Sequence, residues 1–218
     1  MHRSGIEWTD YSLTVITGCK RLCDFNGDGK VDCYAYKMAH RFHRSFEPTF
    51  HPEKLRELEA LKDPAMVFVC PTSDLFAPWI PTEWRDAVLS TILDRKYKHL
   101  TFQTLTKYPD AIPWDVKFPR NVWVGATITR QNEMFRFLQL CLASSQVRFL
   151  SLEPLLSHMD LPDFPLQWVI VGKLTGAKAP FEMEWVDDII QTCRTRHIPL
   201  FIKDNVRYRQ RIQEFPTP

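Results

Sequence analysis

A chain of 218 residues with 44% hydrophobic and 25% charged side chains has the make-up of a globular protein near the upper size for one domain. Its 28 Lys and Arg against 26 Asp and Glu leave a net charge of +2, too little for the broad basic field that non-specific nucleic-acid binding relies on. No apolar run approaches the roughly 18 to 20 residues that span a bilayer, and Met1-His2-Arg3-Ser4-Gly5 has no apolar signal core, so a cytoplasmic protein without a membrane segment is expected.

In chain order, short apolar runs rich in Val, Ile and Phe recur at Leu13 to Ile16, Met66 to Val69, Leu100 to Phe102, Val122 to Val124, Val147 to Leu150, Trp168 to Val171 and Leu200 to Ile202. Each has strand length, and their nearly continuous apolar character suits a parallel sheet buried on both faces. Helical periodicity fills several gaps: Thr82, as an N-cap, to about Arg95, with Val88, Leu89, Ile92 and Leu93 on one face; Asn132 to Leu142; and Trp185 to Arg196. Alternating strand and helix, with no linker, repeat or low-complexity tract, predict a single-domain α/β fold over 1–218, its core about 6–205 and a tail at 206–218. A doubly wound sheet and a barrel are both compatible with that pattern. Polar residues just past successive strands favour a complete or partial (β/α) barrel: Ser73 and Asp74, Thr106 and Lys107, Thr127 and Thr129, Glu153, Lys173 and Thr175, Lys203 to Asn205. Barrels keep their sites at that rim, although residues leaving a strand for solvent are polar for a simpler reason too.

Of the six cysteines, Cys19, Cys23 and Cys33 crowd into one stretch while Cys70, Cys141 and Cys193 are scattered, which is no disulfide framework. The scattered ones fit a core, with Cys141 and Cys193 on apolar helix faces. Three clustered thiols in a reducing compartment suggest ligation. They suit three irons of a [4Fe-4S] cluster with the fourth iron open, and equally a structural Zn2+ site completed by His40 or His43. Spacing alone does not separate the two.

Between Cys23 and Cys33 the run Asp24-Phe25-Asn26-Gly27-Asp28-Gly29-Lys30-Val31-Asp32 follows the first nine positions of a calcium loop. Asp24, Asn26 and Asp28 would give side-chain oxygens, Lys30 a carbonyl and Asp32 a ligand through water, with Gly29 at the turn. Ala35 stands where the bidentate carboxylate belongs, and an Asn-Gly/Asp-Gly turn folding an insertion back on itself is the simpler alternative.

The segment from Thr17 to Cys33-Tyr34-Ala35 resembles the radical S-adenosylmethionine superfamily, whose usual motif is C-x3-C-x2-C after the first barrel strand. Cys19 and Cys23 match its first interval, while nine residues stand in the second, as though seven had been inserted. Gly18-Cys19 and Cys33-Tyr34-Ala35 are similar to the branch that includes spore photoproduct lyase. The runs Ile6 to Asp10, Ser73 to Phe76, Leu105 to Pro109, Asn121 to Gly125, Glu153 to Leu156, Trp168 to Gly172 and Pro199 to Lys203 resemble, in order, a phage- and prokaryote-associated radical-SAM-like family of unknown function. That family usually has a wider first cysteine interval and a short second one. It also has Gly-Gly-Glu-Ser-Gly where this chain has Gly172-Lys173-Leu174-Thr175-Gly176, so a carboxylate at 174 is missing.

The resemblance implies a barrel of the radical SAM type in which Cys19, Cys23 and Cys33 hold the cluster. S-adenosylmethionine would chelate the open iron, and one-electron reduction by an external donor would release a 5'-deoxyadenosyl radical that takes hydrogen from an unidentified substrate. It further implies that Asp74 or Ser73 accepts from the methionine ammonium and that Lys107 and Lys203 pair with its carboxylate or an anionic substrate. Thr127 and Glu153 would serve ribose hydroxyls or substrate, and Phe25 or Tyr34 would pack on adenine. The plainer roles are a turn cap for Asp74, solvated lysines, and an ion pair of Glu153 with Arg148. A short barrel would leave one side open for a large substrate or a partner protein. His40-Arg41-Phe42-His43-Arg44 and Arg207-Tyr208-Arg209-Gln210-Arg211 are the candidate nucleic-acid contacts, though solvated helix faces explain them as well. The rival expectation is a non-enzymatic, zinc-stabilised binding module.

Overall fold

The computed structural model describes residues 1, 3–175 and 179–217. Seven parallel strands form one sheet in sequence order: β1 (Tyr11–Leu13), β2 (Ala65–Val69), β3 (Leu100–Thr106), β4 (Val122–Thr127), β5 (Arg148–Leu152), β6 (Trp168–Val171) and β7 (Leu200–Ile202). The sheet curls into a half-barrel, so this is an α/β single domain in which every expected strand run contributes. Four helices accompany it: α1 (Tyr34–Arg41), α2 (Thr82–Ile92), α3 (Phe135–Leu140) and α4 (Met183–Thr195).

Alternation along the strands sends side chains to two different cores. The convex row, including Val67, Val69, Phe102, Val124, Leu150, Val169 and Ile202, packs with buried helix residues such as Val88, Ile92, Phe137, Ile189 and Cys193. The concave row carries Phe68, Trp123, Phe149, Trp168 and Phe201, joined by Trp8. These aromatics fill the floor that a closed barrel would fill with further strands. Gly125 makes room for the ring of Phe149 beside it, since a Cβ there would lie 2.4 Å from that ring.

Several boundaries differ from those expected. The first run splits: β1 ends at Leu13, and Ile16–Thr17 pairs antiparallel with Thr49–Phe50 to start the cysteine loop. Pro81, not Thr82, precedes α2, because proline's fixed φ suits the entry to a helix, and no side chain caps it. The helix stops at Ile92; Asp94 then accepts the Lys96 N–H at 2.9 Å and starts a short 3-10 turn over Arg95–Tyr97. Asn132 to Leu142 divides into a 3-10 turn, Gln131–Glu133, and α3. Cys70 and Cys193 are buried, and Cys141 is half-buried against the same core.

Both sheet edges are covered by the chain's own ends. On β1, Arg3 bridges Tyr11 antiparallel and Ser4 N–H bonds Asp10 C=O at 2.8 Å. On β7, Gln213 bridges Phe201, with Ile202 N–H to Ile212 C=O at 2.8 Å and Glu214 N–H to Leu200 C=O at 2.9 Å. The segment beyond 206 is therefore not a free tail. Unpaired strand donors and acceptors are satisfied there, so a partner would meet the rim rather than extend the sheet.

Candidate functional site

The parallel strands deliver all their C-terminal ends to one rim. Gly18 opens the cysteine loop at φ +82, with a Cβ position only 2.3 Å from the Glu47 carbonyl, so only glycine fits. Its own carbonyl accepts from Ser73 Oγ at 2.7 Å, and Cys19 N–H bonds Phe46 C=O at 2.9 Å. Farther along, the Arg21 guanidinium reaches the Tyr108 hydroxyl at 3.5 Å, and Arg130 donates to the Phe25 carbonyl. Ser73, Tyr108 and Arg130 follow β2, β3 and β4, so the loop lies across that half of the rim.

The long interval before Cys33 closes at its base. Asp32 N–H donates to Cys23 C=O at 2.8 Å. The buried Asp32 carboxylate accepts from Phe25 N–H at 3.1 Å, Asn26 N–H at 3.3 Å and Lys37 Nζ at 3.3 Å. The nine intervening residues thus bulge outward, and Cys33 begins α1 one residue from a strap onto Cys23.

Within the bulge, Asp24 accepts from Gly27 and Gly29 N–H, Asn26 from Asp28 N–H, and Asp28 from Lys30 N–H. These are turn-forming bonds of the Asx kind. Among the described residues, no three His, Cys, Asp or Glu side chains converge on a point that holds a single metal ion, so neither a calcium set nor a zinc set of three cysteines and a histidine is preassembled. His40 stacks on Tyr36, and His43 sits at φ +51 beyond the helix.

All three loop cysteines are free and half-buried. Burial pushes the Cys19 thiol up to about 11, against the Arg21 N–H that donates to its sulfur at 3.3 Å; Asp74, Lys107 and Cys23 add smaller charge effects. The donor set therefore borders the acid and the lysine that follow β2 and β3. Thiols on one loop that do not converge suit a four-iron cluster, in which each thiolate has its own iron, better than a single ion.

Asp74 is 7% exposed, and its carboxylate accepts from Lys107 N–H at 2.8 Å and Phe76 N–H at 3.2 Å. Burial raises its pKa, outweighing the Lys107 N–H, Thr106 and the Lys107 charge. It ties the end of β2 to the end of β3. Ser73 is engaged by Gly18, and Lys107 is half-buried. Tyr34 is 73% exposed, whereas Phe25 is half-buried under the Arg130 contact.

On the other half of the rim, Glu153 pairs with Lys203 and not with Arg148, which donates instead to the Ala143 carbonyl. Arg148 points to the convex side because it lies an odd number of residues from Glu153. Thr127 is buried beside Ser151, its register partner on β5. Lys173 is fixed by Asn205, which bonds both its N–H at 3.1 Å and its C=O at 2.7 Å. Gly176 and Pro218 lie outside the described residues. The basic run at 207–211 is not a helix face: it follows a 3-10 turn, with Arg209 paired to Asp187 and Arg211 to Gln213. No described helix is long and apolar enough to cross a membrane.

Sequence reasoning missed Ser151, Gly172, Arg21 and Arg130. Ser151 carried a signal, as the lone hydroxyl in the apolar run Arg148–Leu152. The two arginines carried none, because only the fold brings them to the loop.

The fold and rim define a parallel α/β half-barrel with a three-cysteine loop over its C-terminal edge. The chain belongs to DUF5131, a family described as protein of unknown function, whose model matches residues 3–214. Comparison with curated proteins and with solved structures gave no match.

Proposed function

We propose that this chain is a radical S-adenosylmethionine enzyme or a close derivative, with Cys19, Cys23 and Cys33 holding a [4Fe-4S] cluster. The observation that carries the reading is the Asp32 N–H to Cys23 C=O bond. It loops out the insertion and brings Cys33 beside Cys23, as a short second interval would. The loop also lies at the rim where half-barrels and barrels assemble sites from successive strand ends.

When bound, the cluster and S-adenosylmethionine supply reductive cleavage of a sulfonium and thereby a 5'-deoxyadenosyl radical. The chain's own residues orient and shield. Arg21 N–H donates to Cys19 Sγ, a bond of the kind that tunes cluster potentials. Asp74 holds Lys107 N–H, so the lysine emerges beside Cys19 with its charge available to the methionine carboxylate. Because Asp74 is buried and bonded to two N–H groups, its part is positioning, with the methionine ammonium as a further donor only where it reaches the same oxygens.

Iron, sulfide and zinc analysis of anaerobically purified protein, with electron paramagnetic resonance of the reduced form before and after S-adenosylmethionine, tests the proposal. Near four irons per chain and a spectrum altered by the cofactor are expected. One zinc, no iron and no cofactor response would make the half-barrel a metal-stabilised binding scaffold instead.

A further inference from the structure

The rim has two unlike halves. The cysteine loop covers the ends of β2, β3 and β4 through Ser73, Tyr108 and Arg130. Past β5, β6 and β7, Glu153, Gly172 and Lys203 form one layer on the concave face. Gly172 has no side chain, and Glu153 occupies the space: a Cβ on Gly172 would stand 2.9 Å from Glu153 Cδ. The glutamate thereby reaches Lys203 across the intervening strand, leaving side-chain exposures of 28% and 17%.

One layer deeper, Thr127 and Ser151 sit opposite each other on β4 and β5, at 4% and 1% exposure. Among the described residues neither hydroxyl has a hydrogen-bond partner, Glu153 Oε2 accepts nothing, and Lys203 Nζ bonds only Glu153. Buried polar groups left unpaired inside a fold call for water or a ligand.

We propose that this row is the substrate side of the site and takes a neutral ring bearing vicinal hydroxyls, a sugar or the ribose of a nucleoside. The inference rests on the proposed function in assigning the opposite half to S-adenosylmethionine. Charge decides the class. Glu153 and Lys203 cancel one another, so a charged substrate group would have to break a partly desolvated pair, which is costly. Hydroxyls break nothing: one donates to the free carboxylate oxygen and another accepts from the ammonium. Thr127 and Ser151, about 4.8 Å apart as neighbouring strands are, offer the same mixture of donor and acceptor to the deeper edge of a ring.

The experiment is calorimetric titration of anaerobic, iron-loaded protein saturated with S-adenosylmethionine, using methyl β-D-ribofuranoside, uridine and ribose 5-phosphate as probes. Binding of a neutral probe is expected, weakened at least tenfold by Glu153→Gln and also by Gly172→Ala, which displaces the glutamate. Ser151→Ala, a smaller change, is expected to weaken binding severalfold and serves if Glu153→Gln does not fold. Uridine alone binding marks the nucleoside, and binding of the methyl riboside marks the sugar ring itself. No heat from either neutral probe, binding of ribose 5-phosphate alone, or affinity unmoved by the variants would overturn the proposal. Iron content and the cofactor response are measured on the same samples. Loaded protein that ignores the diols sinks this inference alone, whereas protein without iron sinks the cofactor reading, and diol binding is still scored on it.

Discussion

Glu153 and Lys203 belong to strand ends that do not neighbour each other, yet they pair on the concave face of the half-barrel. What permits it is Gly172 on the strand between. A Cβ there would approach Glu153 Cδ to 2.9 Å, while one on Gly125 would strike the Phe149 ring at 2.4 Å.

These two glycines predict different costs for the same substitution. Phe149 is fully buried among aromatics and cannot yield, so Gly125→Ala is expected to cost about 3 kcal/mol through overpacking. Glu153 stands at the rim and can swing outward, so Gly172→Ala is expected to cost only about 1 kcal/mol while separating the ion pair. Urea unfolding of both variants checks the order. Equal losses would mean that Glu153 is as confined as Phe149.

The neck of the insertion makes a sharper prediction. Asp32→Ala removes the acceptor for Phe25 N–H, Asn26 N–H and Lys37 Nζ, freeing the base of the bulge without touching a cysteine. After anaerobic reconstitution it is expected to retain less than half the iron of the parent, with little change in the unfolding midpoint. Excision of 26–31 is expected to keep the iron, since the bulge supplies no thiol. An excised variant without iron would show that the insertion itself shapes the site.

The strands were legible because a parallel sheet buried on both faces writes each strand as an apolar run, and every expected run appears in β1 to β7. The rim residues were legible singly, as polar groups at strand ends. Their partners were not. Nothing local says that Glu153 would meet Lys203 and not Arg148, because that choice depends on strand parity and on an empty position at Gly172. The edge-covering role of Gln213 and Glu214 was equally hidden: a two-bond antiparallel pairing has no periodicity to detect. The neck at Asp32 left a trace in the Asn-Gly/Asp-Gly run, which folds the insertion as a turn does.

Two carboxyls drawn out of water predict pH effects of opposite sign. Burial pushes Glu133 up, but the Thr129 N–H at 2.7 Å, its hydroxyl at 2.8 Å and Arg136 at 2.9 Å outweigh it and hold the carboxyl below its ordinary range. Its stabilisation is complete above the unfolded-state pKa and is lost as pH falls through the folded one. Glu133→Gln is therefore expected to cost about 1 to 3 kcal/mol at pH 7, a deficit that shrinks in acid. Asp74 is raised, chiefly by burial. Its contribution is complete below the unfolded-state pKa and is lost as pH rises through the folded one, so Asp74→Asn gains on the parent as pH rises. Urea denaturation of the three proteins from about pH 3 to 8 reads both slopes. Parallel curves for parent and variants would remove both assignments.

The last strand edge gives the test of whether the chain's end is structure or appendage. Truncation after Arg211 removes Ile212, which accepts from Ile202 N–H, and Glu214, which bonds Leu200 through its N–H and its carboxylate. It also removes the carbonyl that takes Trp168 Nε1–H at 2.8 Å and the Phe215 ring, 5.4 Å from that of Trp168. Lost ladder bonds at about 1 kcal/mol each and one aromatic at about 2 kcal/mol sum to roughly 4 to 6 kcal/mol, a large share of what holds a domain together. The expected outcome is a red-shifted tryptophan emission, because Trp168, fully buried in the parent, becomes open to water, together with concentration-dependent association through the bared β7 edge. Association is the discriminating sign. A truncated chain that stays monomeric with unshifted emission would mean that β7 is protected by its neighbours alone.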